Sequence, residues 1–196
     1  MRVIKVLVIA TMLLVGGWQT ASAFILNVDN GAISPASANY GDVALSLNGT
    51  SIDVTVTMAG GYQLGDVFGF DVVGSTTGLA FTNVTSSWTG VSPLSPPNID
   101  GLGNFEAGLT ANPSLRFNSL AFTVSRTAGF TDVSQLTELN GHSLYFATHV
   151  FPTATTGSTG YAGAGGGGGV PEPSTLLLLG TGLIGFAGIA WRRRGK

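Results

Sequence analysis

The chain has 196 residues, no cysteine, 30 glycines and a formal net charge of −2. Without cysteine it has no disulfide scaffold, thiolate zinc site or cysteine nucleophile. Charged residues are 9% of the chain, against about 25% in an ordinary globular protein, and most of the basic ones sit at its two ends. Between residues 24 and 170 only Arg116 and Arg126 are basic, against nine acidic residues, so that stretch carries −7. Such a body repels phosphate backbones, which argues against nucleic acid as a partner.

The first 23 residues read as a secretory signal peptide. Arg2 and Lys5 form a positive start, Val6 to Val15 is almost unbroken apolar sequence, and Ala21-Ser22-Ala23 fits the small-x-small rule. Ala21 and Ala23 are the small residues a signal peptidase would read, with cleavage after Ala23.

Residues 24–155 read as an extracytoplasmic body built of strands. Asp42 to Leu47 alternates, Asn48-Gly49 signals a hairpin, and Ile52, Val54, Val56 and Met58 then alternate with Asp53, Thr55 and Thr57. Period two with one wet face is the mark of an antiparallel sheet. Val67 to Val73, Leu79 to Val84, Asn104 to Leu109, Leu115 to Val124 and Ser143 to Phe151 are further strand candidates. Pro93, Pro96 and Pro97 predict a stiff loop, and Asp132 or Thr131 predicts the cap of a short helix ending near Leu139. The expected fold is all-β, an antiparallel β-sandwich of which a jelly roll is one form.

A glycine-rich linker over 156–170 follows, then a tail over 171–196. Pro171-Glu172-Pro173 cannot join a helix interior or a central strand. Leu176 to Trp191 carries no charge, and a helix over about 174–191 would be roughly 27 Å long, close to a bilayer core. Arg192, Arg193 and Arg194 would hold its far end on the cytoplasmic side and leave the body outside.

This tail resembles the sorting signal of PEP-CTERM proteins, which are exported by Gram-negative bacteria that make exopolysaccharide. The motif, the hydrophobic segment and the terminal arginines occur in that order. The resemblance covers residues 171–196. It implies that Pro171, Glu172 and Pro173 are recognised by an exosortase, a membrane processing enzyme that cleaves near them. It further implies transient anchoring in the inner membrane, then release to the cell surface or beyond. Many bodies carrying such a tail are β-sandwiches.

Within the body, signals of chemistry are sparse. His142 and His149 are the only histidines, with no metal-ligand spacing around them. No G-x-S-x-G motif supports a serine hydrolase. Asp66, Asp71, Asp100 and Glu106 name no carboxylate pair by their spacing. Asp29, Asn30 and Asp100 offer oxygen ligands near turns for a loop-built Ca2+ site, without an EF-hand consensus. Trp88, flanked by Ser86, Ser87, Thr89 and Gly90, suits either a glycan-stacking platform or a core position beside a turn. The expected function is a non-enzymatic surface or matrix protein, without catalytic residues or resident cofactor, associated with exopolysaccharide or biofilm. A carbohydrate-binding module and a secreted hydrolase are the alternatives.

Overall fold

The computed structural model describes residues 21–165 apart from 38, 96 and 155. The apolar run of the expected signal peptide, the motif at 171–173, the hydrophobic segment and the terminal arginines lie outside the described residues. Among the described residues thirteen strands occur in chain order: β1 (Ala21–Leu26), β2 (Val28–Asp29), β3 (Gly41–Asn48), β4 (Ser51–Met58), β5 (Tyr62–Phe70), β6 (Ala80–Thr82), β7 (Trp88–Val91), β8 (Asn98–Ile99), β9 (Gly103–Asn104), β10 (Ala107–Ala111), β11 (Ser119–Ser125), β12 (Leu144–Pro152) and β13 (Gly160–Gly165). One 3-10 turn, Val133–Leu136, stands where the short helix was expected. Its cap is Asp132, whose carboxylate accepts from the Ser134 amide at 2.8 Å. Among the described residues no helix is long and apolar enough to cross a membrane.

Two antiparallel sheets form a sandwich. The first has the order β1-β3-β4-β11-β6 and the second β2-β13-β12-β5-β10-β7, while β8 and β9 pair separately. The β3–β4 hairpin follows the predicted alternation. Its closing pair is Asn48 and Ser51, so the two central residues are Gly49 and Thr50, one position later than the Asn-Gly signal suggested. Gly49 has φ of +62°, the glycine-first arrangement that twists with the strands. Ile52, Val54, Val56 and Met58 point inward and are buried. The predicted long strand over 115–124 starts later, at Ser119, because residues before it cross between the sheets. Phe117 exchanges two backbone hydrogen bonds with Leu64 of the second sheet, at 2.8 and 3.1 Å. From Ser119 onward Leu120, Phe122 and Val124 face the core as expected.

The core between the sheets centres on phenylalanines. Phe68 and Phe70, two apart on β5, share the inner face of the second sheet. Phe122 of the first sheet lies 6.0 Å from each, stacked on Phe70 at 20°. Phe146 on β12 stacks on Phe68 at 5.9 Å. All four are at most 2% exposed. Each buried ring contributes roughly 1.5–3 kcal/mol through removal of apolar area from water.

The second sheet is also covered on its outer face. Residues around 94–105, including the β8–β9 pair, fold over it and bury Leu94, Ile99, Leu102 and Phe105 against Leu144 and Ala147 of β12. Gly69 makes this possible. A Cβ there would come within 2.7 Å of Ile99 Cδ1 and 3.0 Å of Phe105.

The body runs past residue 155, where the linker was expected to begin. Gly160–Gly165 is β13, paired with β12 along its length and with β2 at Asp29 and Val28. Its glycines suit a crowded slot, since a Cβ on Gly163 would lie 3.0 Å from both Leu144 Cδ1 and the Phe146 carbonyl. Composition suggested a tether, but close strand packing also selects glycine. Residues 166–170 lie outside the described residues. At the other end, β1 includes Ala21, Ser22 and Ala23, which pair with Ser46, Leu45 and Ala44 of β3.

Removing the inter-sheet ring in Phe122→Ala should cost about 3–5 kcal/mol in urea unfolding, whereas Thr55→Ala on the outward face of β4 should stay within about 0.5 kcal/mol. Equal effects would place the shared core elsewhere.

Candidate functional site

Two arrangements bring chemistry-bearing side chains together, both on the outer side of the second sheet. The first is a cleft of about 670 Å³ beside the 94–105 excursion. Asp71 lies at its base, directly after β5, and is 6% exposed. One of its oxygens accepts the Glu106 amide at 2.6 Å. Glu106, Asn104, Asn140, Ser95 and Thr76 complete a polar lining, with Leu94 and Phe105 between them. Asn140 holds the wall in place: it donates to the Leu102 carbonyl at 2.8 Å and accepts from the amides of His142 and Leu144 at 2.9 and 3.0 Å.

Burial pushes the Asp71 carboxyl up to about 6 from its ordinary 3.8, and the neighbouring charges of Glu106 and Glu138 add to this, while the Glu106 amide pulls the other way. Asp71 therefore changes charge inside the cleft near neutral pH. Carboxyl, amide and hydroxyl groups around a partly apolar floor can hydrogen-bond the hydroxyls of a neutral, polyhydroxylated ligand. Spacing alone named no carboxylate pair, yet the fold brings Asp71 and Glu106 to one cleft.

The second arrangement is a hydrogen-bonded series through His149. Its Nδ1 lies 2.6 Å from Asp66 Oδ1, and its Nε2 is hydrogen-bonded to Thr159 Oγ1. A strand irregularity creates the first contact. Thr148 pairs with Phe68 and Val150 with Leu64, so residues 65–67 of β5 bulge opposite His149 and turn Asp66 toward the ring. Gly65 leaves the space: a Cβ there would strike the Phe151 ring and come within 3.0 Å of His149. The imidazole is held between two rings, Tyr161 stacked at 4.5 Å and 19° and Phe151 at 4.2 Å. The Arg116 guanidinium covers Phe151, 3.2 Å from its centroid. Thr159 is exposed. Sequence placed His149 on a strand, but the link to Asp66 depends on a bulge that no local pattern announces.

The other predicted positions fall as follows. Trp88 takes the core position of the two that its sequence suited. It lies in β7 at 6% exposure, 5.3 Å from Phe117, so its ring faces are in the core. Its indole nitrogen has no hydrogen-bond partner among the described residues. Asp29 and Asn30 direct their carbonyl-type oxygens at protein donors. Asp29 accepts from the Gly31 amide and from Tyr40 Oη, each at 2.6 Å. Asn30 accepts from the amides of Ala32 and Tyr161, at 3.3 and 3.1 Å, and donates to the Asp100 carbonyl at 3.3 Å. These residues brace loops. Among the described residues no group of three His, Asp or Glu side chains is placed to hold a metal ion.

Compared with known families, residues 169–194 match the PEP-CTERM protein-sorting motif. The chain carries that motif at its C-terminal end, where the sequence resemblance placed it. No curated protein and no solved structure matches the chain.

Because Asp71 titrates higher in the fold than in the unfolded chain, its contribution to stability is fully present below about pH 4 and is lost as pH rises through about 6. Asp71→Asn should match the wild type at pH 4 and exceed its unfolding free energy by up to about 3 kcal/mol at pH 8. Parallel pH profiles for the two proteins in urea unfolding would remove Asp71 as a titrating group of the cleft.

Proposed function

We infer that the chain is an exported surface or extracellular-matrix protein, sorted through its tail by an exosortase-type membrane enzyme. The observation that carries this reading is a PEP-CTERM sorting motif at 169–194 behind an all-β body. A signal peptidase acts at Ala21-Ser22-Ala23. The hydrophobic segment over about 174–191 anchors the chain in the inner membrane of a Gram-negative cell. Arg192, Arg193 and Arg194 retain the end in the cytoplasm, and cleavage near Pro171-Glu172-Pro173 then frees the body.

Outside the cell the body serves a matrix of exopolysaccharide or biofilm by binding rather than by turnover. The sparse charge and the net −7 of residues 24–170 suit a neutral or hydroxyl-rich partner better than a phosphorylated one. A carbohydrate-binding reading is favoured by the cleft, not by Trp88. The exposed Glu106 and Asn104 offer polar groups at its mouth, and Asp71 lies behind them.

A variant with Ala at 171, 172 and 173 should stay full length and membrane-bound in the native host, whereas the wild type should lose its C-terminal segment. Maturation of the variant like the wild type, read by intact mass, would overturn the sorting assignment. Separately, Asn104→Ala should weaken retention of the body on the host's secreted polysaccharide about three- to tenfold, the loss of one hydrogen bond. Unchanged retention would remove the cleft from the binding surface.

A further inference from the structure

We propose that Thr159 is an activated hydroxyl that accepts an acyl group from a carboxylic ester, with His149 as its base and Asp66 as the residue that positions the base. An ionised carboxylate offers no proton, so the Asp66–His149 contact at 2.6 Å assigns the ring proton of neutral His149 to Nδ1. The lone pair of Nε2 then faces Thr159 Oγ1 and takes its hydrogen bond. This is the order of roles in an acid–histidine–hydroxyl triad: carboxylate, oriented imidazole, nucleophile.

Other threonine hydroxyls of the body are used differently. Those of Thr85, Thr137 and Thr148 donate to backbone carbonyls, and that of Thr123 donates to Asp53. None of these partners is a titratable nitrogen base. Thr159 combines such a base with exposure, so an outside reagent reaches it.

The imidazole is also restrained more firmly than a brace requires. Tyr161 stacks on one face, Phe151 abuts the ring at a 47° tilt, and the 65–67 bulge supplies the acid. Restraint of this kind keeps Nε2 aimed at one hydroxyl, and that preorganisation is what base assistance needs.

The surroundings also select the ester. Asp66 beside the ring and the acidic body oppose phosphate and sulfate esters. A neutral carboxylic ester with a small acyl group meets no such repulsion at an open surface. In the transfer, Thr159 Oγ bonds to the acyl carbon while the bond from that carbon to the alcohol oxygen breaks. The proton of Oγ passes to Nε2 and from there to the departing alkoxide, which leaves as the alcohol. No oxidant or reductant is required, and the product is an ester on Thr159. An O-acylated matrix polymer would then pass its acyl group to Thr159 and leave as the free alcohol, a single event compatible with a protein that does not turn over substrate.

The test is acetylation of the purified full-length chain by p-nitrophenyl acetate, read by intact mass and peptide mapping. Among its hydroxyl residues the wild type should be acetylated at residue 159 ahead of the exposed Thr77 and Thr153, while the amines of Met1, Lys5 and Lys196 label alike in wild type and variants. Thr159→Ser should still label at residue 159 and Thr159→Val should not. His149→Gln should slow labelling by roughly 10²–10⁴-fold, the usual range for loss of a general base. Asp66→Asn should slow it less, while circular dichroism stays that of the wild type. Wild-type labelling spread evenly over exposed threonines, or absent from Thr159, overturns the proposal, as does a His149→Gln variant that is folded and labels at the wild-type rate. If His149→Gln does not fold, site selectivity in the wild type and rescue by Thr159→Ser decide the question.

Discussion

The architecture depends on the burial of β5 on both of its faces. One face carries Phe68 and Phe70 into the inter-sheet core, where Phe122 and Phe146 meet them. The other carries Gly69, over which Ile99 and Phe105 lie. A strand in this position cannot present large side chains on both sides without pushing one layer away. Alternating phenylalanine and glycine solves that problem, and both chemical sites follow from it. The cleft opens where the outer layer meets the end of β5 at Asp71. The His149 series lies where β5 bulges at residues 65–67, beside the outer layer.

How much of this is visible in the amino-acid order varies with the range of the interaction. The β3–β4 hairpin, the inward face of β11 and the cap at Asp132 are local matters of alternation, turn chemistry and side-chain reach, and they can be read directly. β13 could not, because the same glycines serve a loose tether and a strand squeezed between neighbours. Trp88 illustrates another limit. Small polar flanks fit an exposed platform, yet β7 places the ring against Phe117. The tail was legible for the opposite reason: its signal is linear, and Pro171, Glu172 and Pro173 fall within the matched 169–194 stretch.

The candidate sites were the least legible part. Asp71 and Glu106 are 35 positions apart, and Asp66 and His149 are 83 apart. Only tertiary pairing brings such residues within hydrogen-bonding distance. The β5–β12 register needs its bulge before Asp66 can reach the imidazole, and bulges in the middle of a sheet leave little trace in hydrophobic periodicity.

β13 has a mechanical consequence. Any tension between the sorting tail and the body enters through Gly165, the last residue of that strand. β13 consists of glycine, alanine and a single tyrosine, so its grip comes mainly from ladder hydrogen bonds and little from interlocked side chains. Its partner on one side is continuous and on the other spans only two residues. Under load the first element to peel should be this small-residue strand, with the phenylalanine core yielding later. The body thus carries a mechanical fuse at its tethered end, and as it opens from Gly165 it takes Tyr161 off the His149 ring before the pull reaches Thr159, one residue before the strand.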